Sequence, residues 1–437
     1  MSVEVIKLLR GAVFIFACRL AGAILVFLTQ IFLARCMGAD ELGIYVFAFS
    51  LCILLSTVAG LGYPAAAVRF IGHGLAKDNM GLALGFIRQS RFVIIGLSAA
   101  LVAILAGLLV SLQGSIPGEY VVPLMISLAC VPIMAITRLN DRIAQTMSWF
   151  VLAFLPTSVV RPLLFFAAVY IVWRGGILLS ANTALLIQLI AMGLVAIITY
   201  TLLEQRTRPM LRGVLPVYET RLWSRTAAPL LMIVLFTQYF PDISLVLVGI
   251  ILPSEDVAVF NVSFRSALLI AFGLNSVSAI MSPRIAQLHA KGDMEGLQRL
   301  ISLSSQIRFW PTLAVVLALM FFGEDLLRLF GEAFVGGYDA LVILSLSQLV
   351  IAAVGPVDVL LSITGYQDRC LRVFALSLVS AVVLNLMLVP IWGIVGAAIA
   401  VFLVVVLWTT WLYYIVVRHL GIRPSVFSLS LVSRKST

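Results

Sequence analysis

Apolar residues run along this chain in long blocks, separated by short clusters rich in Arg, Gly and Pro. Leu42–Val68, Phe92–Gly118 and Gly175–Leu203 contain no Asp, Glu, Lys or Arg, and Val373–Val417 is uncharged for 45 residues. A bilayer-spanning helix needs roughly 20 apolar residues. Each of the first three runs therefore holds a span, and the fourth holds two, broken at Pro390-Ile391-Trp392-Gly393. The pattern predicts twelve helices, at about 11–34, 43–68, 92–112, 119–138, 148–172, 177–203, 226–251, 257–282, 307–323, 340–363, 370–389 and 393–417. Pro117-Gly118, Gly175-Gly176 and Gly336-Gly337 punctuate them.

Composition agrees. The chain is 62% hydrophobic and 11% charged, with a mean hydropathy of +1.14, whereas a soluble domain carries about 25% charged residues. Lys7 and Arg10 precede an apolar stretch as in a signal peptide, but that stretch continues to about Ala34, beyond a cleavable core. It reads as a retained first helix. Cys18, Cys36, Cys52, Cys130 and Cys370 are scattered singly, and His73, His289 and His419 form no cluster. With no phosphate-binding Gly motif and no nucleophile arrangement, neither an enzyme nor a metal or other cofactor is expected.

Charge sets the expected orientation. With the N-terminus inside, 23 Lys and Arg fall in inner segments and 3 in outer ones, a strong positive-inside bias. Both ends are expected to be cytoplasmic. The net charge of +10 follows from this bias and does not imply nucleic acid as a partner.

The two halves repeat. Arg69, Asp78, Gly81 and Leu82 match Arg284, Asp293, Gly296 and Leu297 at a constant offset of 215. The same offset pairs Asp40-Glu41 with Glu255-Asp256 and Tyr45 with Phe260, and an offset of 217 pairs Asp141 with Asp358. A six-helix period returns the chain to the same side, so the repeat is parallel. The expected architecture is an all-α membrane protein of about twelve transmembrane helices, in two parallel six-helix lobes around a central cavity. The expected divisions are an N-terminal lobe 1–205, a cytoplasmic linker 206–225, a C-terminal lobe 226–420 and a cytoplasmic tail 421–437.

Charges inside the bilayer cost roughly 2.5–3.5 kcal/mol each on the lenient scale and need a reason. Arg19, Arg161 and Arg265 lie within predicted spans, as do Asp242 and Asp358. Asp242 is a candidate salt-bridge partner or ion-coupling site, with Asp358 toward the inner end of the tenth helix. Three arginines against one mid-membrane Asp leave a positive surplus, which suits a wet cavity that receives an anion. Arg69 with Asp78, and Arg284 with Asp293, read as cytoplasmic loop anchors and secondarily as gate elements.

These motifs resemble a known family. Asp242 with Leu245-Val246-Leu247-Val248-Gly249, then Pro253 through Phe260 to Arg265, and Pro283-Arg284 through Asp293, are similar to bacterial polysaccharide-biosynthesis flippases. Leu33-Ala34-Arg35 through Gly38, Gly43 and Tyr45, and Gly60-Leu61-Gly62, are similar to the same family's opening helices. These are the Wzx-type translocases of the multidrug/oligosaccharidyl-lipid/polysaccharide exporter superfamily. The resemblance implies a two-lobed exporter in the bacterial inner membrane. Its implied activity is to flip an undecaprenyl-pyrophosphate-linked oligosaccharide for O-antigen or exopolysaccharide synthesis. It implies lipid-linked oligosaccharide and membrane lipids as partners, with polysaccharide polymerase and glycosyltransferases nearby. The family's cationic cavity carries over as a class to Arg19, Arg161 and Arg265. Lipid II flippases resemble the chain less. The alternative within the superfamily is a cation-coupled multidrug exporter, which needs an acidic cavity.

Overall fold

The computed structural model describes residues 3–77, 79–112 and 114–426, with side chains from Val13 onward except Ala279 and Gln367. The elements are helices α1 (Val3–Ala59), α2 (Tyr63–Ala76), α3 (Met80–Ser111), α4 (Gly118–Thr146), α5 (Phe150–Leu155), α6 (Arg161–Arg174), α7 (Ala181–Met210), α8 (Thr220–Ile251), α9 (Ser254–Ala290), α10 (Met294–Arg328), α11 (Tyr338–Val354), α12 (Val357–Ile363) and α13 (Gln367–Leu420). A π-helical turn, Pro156–Val160, joins α5 to α6, and a 3₁₀ turn, Glu332–Gly337, precedes α11. Helices are the natural outcome for these sequences, because hydrocarbon offers no partner for a backbone N–H or C=O.

Ten helical segments among the described residues are long and apolar enough to cross a membrane. Two of them are broken by glycines with non-helical backbone, Gly38 (φ 79°) in α1 and Gly393 (φ 54°) in α13. Counting each broken helix twice gives the twelve expected spans, and the protein is a multi-pass membrane protein. The break in α13 falls at the Pro390–Gly393 turn. Large apolar side chains remain exposed along the spans, among them Phe92 at 80% and Phe321 at 79%, the surface that lipid would cover.

Several helix boundaries differ from expectation, and the span expected at 340–363 is split into α11 and α12 at Gly355 (φ 76°). The span expected at 43–68 is interrupted at Gly60-Leu61-Gly62, where Leu61 (φ 44°) and Gly62 (φ 75°) are left-handed. A Cβ on Gly62 would stand 2.0 Å from the Ala227 carbonyl oxygen, so only glycine admits this approach of α8. The fourth helix runs to Thr146, about two turns past the end of its apolar run. The ninth begins at Met294, about three turns before its own. Polar extensions of this kind carry no hydropathy signal.

The chain divides into two compact units, Met1–Ile243 and Ser244–Thr437. In the first, α4 packs on α1, α2, α3 and α7. Its core gathers Tyr63, Phe86, Leu139, Ile143 and Trp223, with Trp223 edge-on to Phe86 at 5.3 Å. Residues 211–219, between α7 and α8, lie on α3. The Val217 amide donates to Gly81 O at 3.0 Å, and a Cβ on Gly85 would stand 1.9 Å from Val217 O. Beside the kink in α1, the Glu41 carboxylate accepts the Ala181 amide at 2.6 Å, capping α7 where an anion is favoured. In the second unit α11 packs on α9, α10 and α13, around Ile270, Leu274, Val316 and Ala352.

The repeat is visible in the helix caps, with a shift. Asp293 caps α10 by accepting the Gly296 amide at 2.8 Å. The counterpart at α3 is Asn79, which accepts the Leu82 amide at 3.2 Å. The capping positions are thus 214 apart, one residue off the sequence register. Asp293→Ala should cost about 1 kcal/mol of local stability. Hydrogen exchange of the first-turn amides of α10 should accelerate while the rest of the second unit is unchanged.

Candidate cationic cavity

The first unit holds a cavity of about 230 Å³ whose charged lining is Arg19, Arg138, Asp141 and Arg142. Ser56, Thr57, Gln145, Thr157, Ser158, Gln238 and Tyr239 supply polar groups to its wall. Three guanidinium groups face one carboxylate, leaving a surplus of two positive charges.

Local sequence explains how each side chain arrives. On α4, Arg138, Asp141, Arg142 and Gln145 are spaced at i, i+3, i+4 and i+7, one face of a helix. Arg138 donates from Nη1 to Ile53 O at 3.3 Å and to the Thr57 hydroxyl. Its guanidinium also lies 4.5 Å from the Tyr239 ring centroid, a cation–π placement that helps a charge tolerate a dry wall. Arg142 donates to Gln145 Oε1 at 3.0 Å. Arg19, on α1, lies over the Phe154 ring at 5.4 Å, and Arg142 is near enough for the two like charges to interact.

The π turn supplies a further part of the wall. Pro162 has no N–H to offer the Ser158 carbonyl four residues back, and the Arg161 amide bonds instead to Pro156 O, five residues back. The widened turn presents Thr157 and Ser158 to the cavity, and π turns recur at functional sites. Helix α1 approaches at Gly22, where an added Cβ would stand 2.1 Å from Ser158 O. The Thr157 hydroxyl and the charges of Arg138, Arg142 and Arg161 lie near enough to act on the Asp141 carboxylate. Asp141 Oδ1 is buried with no partner among the described residues.

The residues singled out by sequence are distributed unevenly. Arg19 lines the cavity, and Arg161 stands behind it, interacting with Asp141 and Arg138. Arg265 lies in α9 of the second unit and is not part of this lining. Asp242 is buried on α8, one turn beyond Gln238 and Tyr239, and accepts a hydrogen bond from Ser50 at 3.1 Å. Asp358 is exposed in the first turn of α12, because Gly355 (φ 76°) ends α11 ahead of it. Arg69 is exposed beside the Phe70 ring, and Asp78 lies outside the described residues. Arg284 is exposed and donates to Gln287 at 3.4 Å. Asp293 caps a helix, and among the described residues no ion pair joins it to Arg284.

Sequence reasoning missed Arg138 and Arg142, which it assigned to an inner segment, although their i, i+4 spacing with Gln145 at i+7 was legible. It missed Arg308 in the same way. That residue is 5% exposed on α10 and feels the charge of Asp358, and its Nε and Nη1 have no partner among the described residues.

Comparison with known proteins gives this geometry a context. A sequence model of the family described as "Polysaccharide biosynthesis protein" matches residues 8–289. The chain is 20% identical over 407 residues to the probable low-salt glycan biosynthesis flippase Agl15 of Haloferax volcanii, covering 90% of this chain and 80% of that one. Among solved structures, an inward-facing MATE-family multidrug resistance transporter of the MOP superfamily superposes with a TM-score of 0.73 at 16% identity, covering 92% of this chain and 95% of the other. The lipid II flippase MurJ, in an inward closed conformation, superposes with a TM-score of 0.70 at 14% identity, covering 92% and 87%. The structural likenesses establish the fold, and the family match extends over well more than half of the chain: it belongs to the polysaccharide biosynthesis protein family, whose relatives are flippases and transporters rather than enzymes.

Proposed function

We propose that this chain flips an undecaprenyl-pyrophosphate-linked oligosaccharide from the inner to the outer leaflet of the bacterial inner membrane, for O-antigen or exopolysaccharide synthesis. The observation that carries this reading is the gathering of Arg19, Arg138 and Arg142 around one small polar cavity. Guanidinium groups fork onto phosphate oxygens and keep their charge. The neighbouring hydroxyls, amides and Tyr239 suit a sugar headgroup. In this reading two six-helix lobes, 1–205 and 226–420, joined by the linker 206–225 and followed by the tail 421–437, rock about a central cavity. Arg265 contributes from the second lobe, and both ends are cytoplasmic. The polyprenyl tail stays in lipid while the head crosses. An interior-negative potential assists by about 2.3 kcal/mol per negative charge moved outward per 100 mV. Asp242 and Asp358 are the candidates for ion coupling, and Arg69, Asp78, Arg284 and Asp293 act near the cytoplasmic gate. Glycosyltransferases supply the cargo and a polymerase consumes it.

A cation-coupled drug exporter is the second reading, favoured by the likeness to a MATE transporter. A positive cavity opposes it, since a cationic drug would be repelled.

The test is the leaflet location of the lipid-linked glycan in cells lacking the gene, read by accessibility of the sugar to an impermeant probe. Accumulation on the inner leaflet, reversed by the wild-type gene, is the expected result. Unchanged outward sugar together with new drug sensitivity would favour the exporter.

A further inference from the structure

A second basic cavity lies in the first unit, apart from the one above. It has a volume of about 950 Å³, and Arg88, Arg91, Arg208 and Arg212 line it with a single carboxylate, Glu204. Arg91 and Glu204 pair with one another, and Arg91 also lies over Tyr200 at 5.0 Å. That pair neutralises itself. Arg88, Arg208 and Arg212 are exposed, and among the described residues none of them has an ion-pair partner. The pocket therefore carries an uncompensated positive charge from three arginines.

Its level relative to lipid can be read from the two helices that form it. The uncharged run of α3 begins at Phe92, directly after Arg91, and that of α7 ends at Leu203, directly before Glu204. The Arg91–Glu204 pair thus marks the edge of the apolar zone on both helices. Phe92, Ile95, Ile198 and Leu202 are exposed on the apolar side of that edge, where acyl chains would lie. Arg88 and Arg208 stand about one turn beyond it, at headgroup depth. Met210 and Leu215, at 44% and 83% exposure, put apolar surface beside the arginines in the turn that closes the pocket.

We infer that this pocket binds the phosphate of an anionic membrane phospholipid, held by Arg88, Arg208 and Arg212 with its acyl chains against α3 and α7. Basic pockets at a helix–membrane boundary recognise such headgroups, each charge contributing roughly a fivefold gain in affinity. The shared chemistry is a phosphate anion, and the exposed apolar edge favours lipid over a soluble phosphate as its source.

The test uses the purified full chain in neutral detergent, titrated separately with phosphatidylglycerol and phosphatidylcholine, with bound lipid counted by native mass spectrometry. Phosphatidylglycerol should bind at least tenfold more tightly than phosphatidylcholine, and added salt should weaken it. The triple variant R88Q/R208Q/R212Q should lose about 100-fold in phosphatidylglycerol affinity. Glu204→Gln, which frees Arg91, should bind it more tightly than wild type. If the triple variant does not fold, Arg212→Gln alone, in the exposed turn, should show the fivefold loss. Equal binding of the two lipids would overturn the inference, as would retention by the arginine variants or a soluble phosphate that binds while phosphatidylglycerol does not.

Discussion

Replacing Arg19 and Arg142 together with glutamine should stop glycan translocation while leaving the protein in the membrane at its normal level. Both line the cavity, and their like charges interact across it. Their remaining contacts are slight: Arg19 rests on Phe154, and Arg142 bonds to Gln145, one turn away on its own helix. Neither side chain carries the fold: glutamine relieves the repulsion between them, and Arg138 and Arg161 remain as charge partners for Asp141. A charge-assisted contact to an anion contributes ~1.5–3 kcal/mol. Losing two should slow translocation by roughly 100-fold or more. Arg138 offers a contrast, because it also bonds Ile53 O and Thr57 and stacks on Tyr239. Its removal disturbs packing as well as charge, and makes a poorer probe of the anion site. The check is surface glycan and membrane abundance measured in the same cells.

Gly22→Val should damage the protein through packing alone. Ser158 O, left without a helical donor by Pro162, stands 2.1 Å from where the first side-chain carbon would be. The clash is with backbone, so α1 must move away from the π turn. Overpacking of this kind costs ~1–3 kcal/mol. It also displaces Arg19, one turn earlier on α1, from Arg142 and from Thr157 and Ser158 on the π turn. Melting temperature in detergent and translocation should both fall. Gly96→Ala is the control: it sits exposed on α3 with nothing within 4 Å of the added carbon, and both readouts should stay near wild type.

The spans were legible because lipid demands long apolar runs, and Pro390 and Gly393 announced their own break. Gly60 and Gly62 did not interrupt the apolar run, so the bend there left no mark in hydropathy even though only glycine fits at Gly62. Arg19 and Arg161 stood out as charges inside spans. Arg138, Arg142 and Arg308 were hidden for the opposite reason: they lie at or just beyond the inner ends of the apolar runs, where a charge needs no explanation from sequence alone. Their burial or convergence depends on which helices pack together. The sequence pattern sets Asp293 beside Arg284 as a loop anchor, and in the structure Asp293 caps α10. A carboxylate just before a helix fits both roles, and the local backbone decides between them.

The measurement that bears most directly on the cavity's role is translocation in liposomes containing the purified protein and a fluorescent polyprenyl-pyrophosphate-linked sugar. Transfer between leaflets is read by an impermeant quencher. The wild-type chain should move the lipid and the Arg19→Gln, Arg142→Gln double variant should not, at equal reconstituted amounts. Equal transfer by both proteins would contradict a cationic cavity as the site of passage.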